Sequence, residues 1–338
     1  MATYKGIKGV KVQTKATDPT ASEAVGTVWY NSTSPSALKY SIEGAGAWAA
    51  GNAMNSARES LTGTGIQTAA LGVGGMMGPP ASPRYRDETE TYNGTTWTEV
   101  NDLITGRTAM GGAGITTASL VFGGSTATPN VLGETEEWDG TSWTEVADLI
   151  TDRFRVGGYG TTTAANCVGG QTPSPTSFFD LYETYDGTSW LEQNDINTAR
   201  HNGLGGAGTT TAGLLYGGAV PGSPGVTAAT ELWNGTSWST VNNLNAAKKS
   251  AGSAGTSTAA LYYGGYDNSS NLATNESWDG TCWTELADMG TGRRENSGAN
   301  SSPNTTALAF GGYDGSSLTG ASEAWNDPVY TIKTVTIS

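Results

Sequence analysis

The sequence predicts an all-β protein built as a ring of repeated four-stranded units. Three observations carry that prediction. A Gly-Gly pair returns six times, at Gly74-Gly75, Gly123-Gly124, Gly169-Gly170, Gly217-Gly218, Gly264-Gly265 and Gly311-Gly312, with spacings of 49, 46, 48, 47 and 47 residues. Self-similarity at that period marks a propeller or a solenoid. No segment shows the i, i+3, i+4 apolar spacing of an amphipathic helix. Every apolar run is strand length and is bounded by Gly, Asn, Asp or Pro.

The first 57 residues differ in composition from the rest. Lys5, Lys8, Lys11 and Lys15 make the start basic, and Asp18-Pro19 marks a turn. Val28-Trp-Tyr-Asn31 and Ala37-Leu-Lys-Tyr40 flank a polar turn and read as a hairpin. Two roles stay open for residues 1–57: an attachment or oligomerisation segment, or strands that close the repeat ring. The tail, Val329 to Ser338, alternates apolar and polar residues and reads as one strand able to pair with the N-terminal segment.

Residues 58–338 hold the repeat, with copies at about 58–103, 107–149, 153–196, 200–244, 248–289 and 293–338. Each opens on a basic residue: Arg58, Arg107, Arg153, Arg200, Lys248 or Arg293. A Gly-rich first strand follows. The second strand begins at a Thr-Ala step and is apolar throughout, as in Leu214-Leu-Tyr216, so both its faces are buried. Gly-Gly then allows positive φ or close backbone approach. After a variable loop, an aromatic ends the third strand. Asn-Gly or Asp-Gly makes a turn, for which both residues are expected at positive φ. Five residues after the aromatic comes a tryptophan: Trp97, Trp143, Trp190, Trp238 or Trp283. One large ring per sheet at a fixed place packs one sheet on the next. The sixth copy has Asn326-Asp327 at the turn and Trp325/Tyr330 as its aromatic pair.

Basic residue, apolar run, Gly-Gly, loop, aromatic, turn and Trp together resemble the Kelch repeat over about 280 residues. The resemblance implies a six-bladed β-propeller with four antiparallel strands per blade. The compact Asp-Gly-Thr-Ser-Trp turn is similar to Kelch-type proteins of bacteriophages, marine ones especially. The N-terminal hairpin resembles small β-modules of phage tail fibres.

The net charge of −14 argues against nucleic acid or anionic membrane as partner. No apolar run approaches a membrane span, and the start lacks the apolar core of a secretory signal. Cys167 and Cys282 fall at different points of different repeats, so no disulfide is expected. With His201 as the sole histidine, no zinc site is expected either. No cofactor and no metal are expected. Calcium at the Tyr266-Asp-Asn268 or Tyr313-Asp-Gly315 turns would lack the spaced acidic ladder of a calcium loop.

The recurrent basic residues read as structural, paired with a carboxylate of the next blade or with loop carbonyls; the competing reading is an anion-capturing ring. Glu134, Glu136, Glu137, Glu183, Glu231 and Glu276 on the third strands read as solvated, against a glycosidase-type carboxylate pair. The loops after Gly-Gly vary most: 76–84, 171–179 and 219–224 are long and Pro-rich. All six leave one face, where Tyr85, Phe178, Phe179, Tyr266 and Tyr313 offer rings suited to sugar or protein contacts.

The expected function is a non-enzymatic phage virion protein: tail fibre, spike or surface decoration. Residues 1–57 would dock it to other virion proteins, and the loop face would bind host surface glycan or another virion protein. A second copy of the chain is a further partner class. Synthesis in the host cytoplasm and residence in the extracellular particle follow from that reading. The alternatives are a free carbohydrate- or protein-binding propeller adaptor and a glycan-degrading propeller enzyme.

Overall fold

A computed structural model of the chain describes residues 12–20, 27–33, 36–44, 46–78, 84–127, 130–172, 177–222, 225–327 and 330–335. Lys5, Lys8 and Lys11, and the loop segments 79–83, 173–176 and 223–224, lie outside the described residues. The described structure is all-β and divides into two units, 48–326 and a smaller one made of 1–47 with 327–338.

The smaller unit is a four-stranded sheet. Gln13–Lys15 pairs parallel with Val28–Asn31, and Val28–Asn31 pairs antiparallel with Ala37–Glu43. Ala37–Glu43 pairs antiparallel with Tyr330–Thr334, so the tail joins the N-terminal hairpin. One carboxylate ties the sheet together. Asp18 accepts hydrogen bonds from Trp29 Nε1 (3.0 Å), Asn31 Nδ2 (2.6 Å) and Lys39 Nζ (2.5 Å). These donors, Lys39 foremost, hold its carboxyl down at about 2.

Among its described residues the larger unit holds six four-stranded sheets. The second shows the pattern: Gly111–Ile115, Ala118–Phe122, Thr135–Trp138 and Trp143–Val146, each antiparallel to the one before. The sheets spanning 62–100, 157–192, 205–241 and 252–286 repeat it. The sixth differs. It takes Ser297–Gly298, Thr306–Phe310 and Ser322–Asn326 from the last copy and its fourth strand, Ala47–Gly51, from the other end of the chain. The fourth strand expected at Tyr330 is therefore not there. Trp48 stands in its place, 5.8 Å from Trp325 and 5.0 Å from Tyr263 between ring centroids.

Six apolar clusters each join two neighbouring sheets. The apolar second strands explain this, because alternate side chains serve opposite neighbours. Leu120 and Phe122 pack toward the third sheet, and Val121 packs toward the first. The fourth-strand tryptophan reaches back to the preceding sheet. Trp97 lies 4.9 Å from Phe310, Trp190 lies 4.8 Å from Phe122, and Trp143 Nε1 donates to Thr89 Oγ1 at 3.1 Å. The Trp97–Phe310 contact joins the first sheet to the sixth.

Two cycles of backbone hydrogen bonds link the connecting segments of all six copies. In the first, Gly75, Gly124, Gly170, Gly218 and Gly265 each donate to the recurrent basic residue of the next copy, and Gly312 donates back to Arg58 O at 2.8 Å. Both glycines of each pair sit at positive φ, and a Cβ on Gly74 would lie 2.6 Å from Arg107 O. That is why only Gly-Gly serves there. In the second cycle Ala109 donates to Ser60, Arg155 to Ala109, Asn202 to Arg155, Ser250 to Asn202, Glu295 to Ser250, and Ser60 to Glu295 at 3.0 Å. These six non-glycine residues have φ between 53° and 61°. Such strain persists only where the surroundings fix it.

The Asn-Gly and Asp-Gly turns depart from the expected geometry. Only the glycine has positive φ, as at Gly140 (95°). The connection is a four-residue loop, with Trp138 opposite Trp143. Asp139 Oδ1 accepts the N–H groups of Thr141 and Ser142, both at 2.8 Å, so a side-chain cap replaces the second left-handed residue.

Candidate functional site

The recurrent basic residues are buried, so they do not form an anion-capturing ring. Each pairs with a third-strand carboxylate of its own copy rather than of the next: Arg58–Glu90 (3.0 Å), Arg107–Glu136 (2.9 Å), Arg153–Glu183 (2.5 Å), Arg200–Glu231, Lys248–Glu276 (3.3 Å) and Arg293–Glu323. They also donate to backbone carbonyls, as Arg107 Nη1 does to Glu134 O at 2.8 Å. The opposite oxygen of each carboxylate accepts the N–H three residues before the basic residue. Examples are Ile104 to Glu136 (2.8 Å) and Ile150 to Glu183 (2.8 Å). The ion pair thus clamps the linker that carries the chain from one sheet to the next.

Glu136, Glu183, Glu231 and Glu276 are accordingly buried at 1–2% exposure, not solvated. The third strand is covered on both sides by neighbouring sheets, so an acid there faces the linker instead of water. Glu134 and Glu137 are half-buried. The four buried carboxylates are occupied by these clamps, which leaves them no open geometry for acid–base chemistry.

The residue after each basic position is Glu59, Thr108, Phe154, His201, Lys249 or Arg294. Each bridges to the loop after Gly-Gly: Glu59 to Met76, Thr108 to Ser125, Phe154 to Gln171, His201 to Ala219, Lys249 to Tyr266, and Arg294 to Tyr313. Those loop residues bridge onward, for example Met76 to Tyr85, Gln171 to Phe178 and Tyr266 to Asn271. A small capping ladder therefore stands on each of these sheets at one end. One step further along the chain lies the strained cycle Ser60–Ala109–Arg155–Asn202–Ser250–Glu295. It rims a cavity of ≈ 110 Å³ floored by Asn300. Asn300 Nδ2 crosses to Gly112 O (2.8 Å) and Gly158 O (3.4 Å), and Ser301 Oγ donates to Gly114 O (2.8 Å). On their far side lies a second cavity of ≈ 200 Å³.

The structure places the sequence-predicted rings on these ladders, Tyr266 and Tyr313 in the middle row and Tyr85 and Phe178 in the outer row, and all are half-buried rather than fully exposed. Phe179 lies beside Phe178, and its N–H donates to Gly170 O at 2.9 Å. Arg294 is held between two rings, 4.9 Å from the Tyr266 centroid and 4.7 Å from that of Tyr313. Lys249 lies 5.8 Å from the Tyr266 ring, and Arg155 5.4 Å from Phe154. Phe178 stacks on His201 at 4.3 Å. Burial, then Arg155 and Lys249, push the His201 imidazole down to about 3, so it is neutral at pH 7.

Two carboxylates share this rim. Glu295 accepts Ser60 Oγ and Ser250 Oγ, both at 2.9 Å. Burial, then Glu295, push the Glu59 carboxyl above its ordinary value. Among the described residues no carboxylate lies within ion-pair distance of Arg155, Lys249 or Arg294.

Phe154, Arg155, Lys249, Arg294, Glu59 and Glu295 do not stand out from the sequence alone. For Glu59, Phe154, Lys249 and Arg294 a signal was present: the basic position is uniform across the copies, and its successor differs in every one. The turns considered for calcium are closed by their own carboxylates. Asp267 and Asp314 each accept neighbouring serine N–H and hydroxyl groups, which hold both carboxyls at about 2. Among the described residues no group of three or more His, Cys, Asp or Glu is placed to hold a metal. Cys167 is buried, Cys282 is exposed, and both are free thiols. No described helix is long and apolar enough to cross a membrane.

A scan against protein-family models matches none of them, and a search of curated proteins finds no match.

Proposed function

We propose that the chain is a closed six-bladed Kelch-type β-propeller acting as a non-enzymatic binding protein of a phage particle. Its capped face takes host surface glycan or another virion protein. The two hydrogen-bond cycles that return to their first member support closure and the blade number. The binding role rests on one observation: half-buried rings and cations with no carboxylate at ion-pair distance among the described residues gather at the strained rim, while the buried third-strand acids are locked in clamps. The virion setting rests on the resemblance of the repeat and of the N-terminal hairpin to phage proteins. The small unit, 1–47 with 327–338, is the attachment element in this reading.

The test is immunogold labelling of particles from the producing culture with antibody against the full chain. Label at tail or fibre positions supports host attachment, and label over the shell supports decoration. Particles without label would replace the virion role with a free binding module. Polysaccharide turnover that disappears on substituting one carboxylate would replace binding with catalysis.

A further inference from the structure

We infer that the rim around Arg294 is a receptor for a carboxylated sugar unit of a glycan, an inference that rests on the glycan-binding reading above. The larger unit contains eleven Lys and Arg residues, of which the six recurrent ones are buried in clamps. The other five, Arg84, Arg86, Arg155, Lys249 and Arg294, all belong to the loops and linkers of the capped face. In a chain with net charge −14 every cation of the larger unit outside the clamps is thus on this face, where Glu59, Asp87, Glu88, Asp267, Glu295 and Asp314 also lie. Arg86 is satisfied by Glu88. Arg155, Lys249 and Arg294 have no carboxylate partner among the described residues, yet they lie within one another's field. Burial pulls the Lys249 ammonium below its ordinary value; the Glu295 carboxylate opposes that pull, and Arg155 and Arg294 add to it.

Arg294 is the best formed of the three. Its guanidinium plane is held by Tyr266 and Tyr313, so little side-chain freedom remains to be lost on binding. Its hydrogen-bonding edge is the part that can take a carboxylate with two parallel N–H···O bonds. Lys249, over the same Tyr266 ring, adds a second positive charge. The Phe178–His201 stack supplies uncharged surface at the rim for the sugar body. Glu59 and Glu295 are the opposing charges, and the Ser60 and Ser250 hydroxyls hold Glu295.

A saccharide fits better than an acidic peptide. The backbone groups of the rim are used in the cycle of six hydrogen bonds, so an extended peptide finds no free strand edge to pair with.

The experiment measures binding of the full chain to polygalacturonate and alginate, to their methyl-esterified forms, and to poly-glutamate, by calorimetry at two salt concentrations. Esterification removes the carboxylate charge and keeps the sugar. The expected result is binding at least about 10-fold tighter to one acidic polysaccharide than to its ester, weakened by salt. Arg294→Gln and, separately, Arg155→Gln reduce that preference, with circular dichroism unchanged. Should one of these variants fail to fold, the other and the ester comparison still decide. Equal binding to acid and ester overturns the carboxylate claim and leaves the glycan reading standing. Binding of poly-glutamate alone overturns both in favour of a protein partner. Binding of none of the probes overturns the carboxylate claim.

Discussion

Arg293 and Arg294 are neighbours in the chain and opposites in role. The first is buried on Glu323 and the Ala321 carbonyl. The second is partly exposed between two tyrosines. The same contrast runs through every copy: one position is always Arg or Lys, and the next differs six times out of six. Uniformity across repeats marks the groups that hold sheet to sheet. Divergence beside uniformity marks the surface free to acquire a ligand, because the frame beneath it is already fixed.

The comparison breaks most visibly at a clamp. Arg153→Ala leaves Glu183 buried without its cation and frees the Cys167 carbonyl, and loss of one partner of a buried pair costs about 3–5 kcal/mol. Urea unfolding should show that loss, and a cost below about 1 kcal/mol would mean the clamp carries little of the frame. Gly74→Ala places a side chain at φ 59° with its Cβ 2.6 Å from Arg107 O, for at least about 1–2 kcal/mol by the same measurement.

Two pH experiments sharpen the contrast between regions. His201 is a base whose folded value, about 3, lies below its unfolded value, so its contribution is complete above about 6.5. Stability is lost as pH falls from there toward 3, because the unfolded chain takes up the proton first. Denaturation from pH 7 to 5 should show the decline, and His201→Phe should flatten it while keeping the stack on Phe178. In the small unit Asp18 is an acid with a lowered value. Its support is full above about 3.9 and disappears as pH falls through about 2. Hydrogen exchange of 28–31 and 37–41 should therefore speed up in Asp18→Asn at pH 7, with the large unit unaffected.

Much of this architecture could be read from the residues. Gly-Gly is legible because residues with a Cβ seldom accept positive φ. The strand-end tryptophan is legible because a large ring at fixed spacing marks a packing surface used once per sheet. The clamp was half legible. The basic residue stood out, but the burial of its glutamates depends on sheets covering the third strand from both sides, which no local pattern reveals. The fourth strand of the last sheet was hidden by distance, since Ala47–Gly51 joins a strand that ends at Asn326. Its trace was the turn itself: Asn326-Asp327 lacks the glycine every other copy has, because no hairpin forms there. At the site, the rings of the variable loops were visible and the cations were not. Their importance comes from the strained rim, a tertiary feature.

The most direct test of the division between frame and face measures thermal stability and polyuronate binding together for Arg293→Gln and Arg294→Gln. Arg293→Gln is predicted to lower Tm by about 6 °C or more, as expected for a broken buried pair. Arg294→Gln should leave Tm within about 2 °C and lose the preference for the carboxylated polymer. Equal destabilisation by both variants, or unchanged binding in Arg294→Gln, would contradict that division.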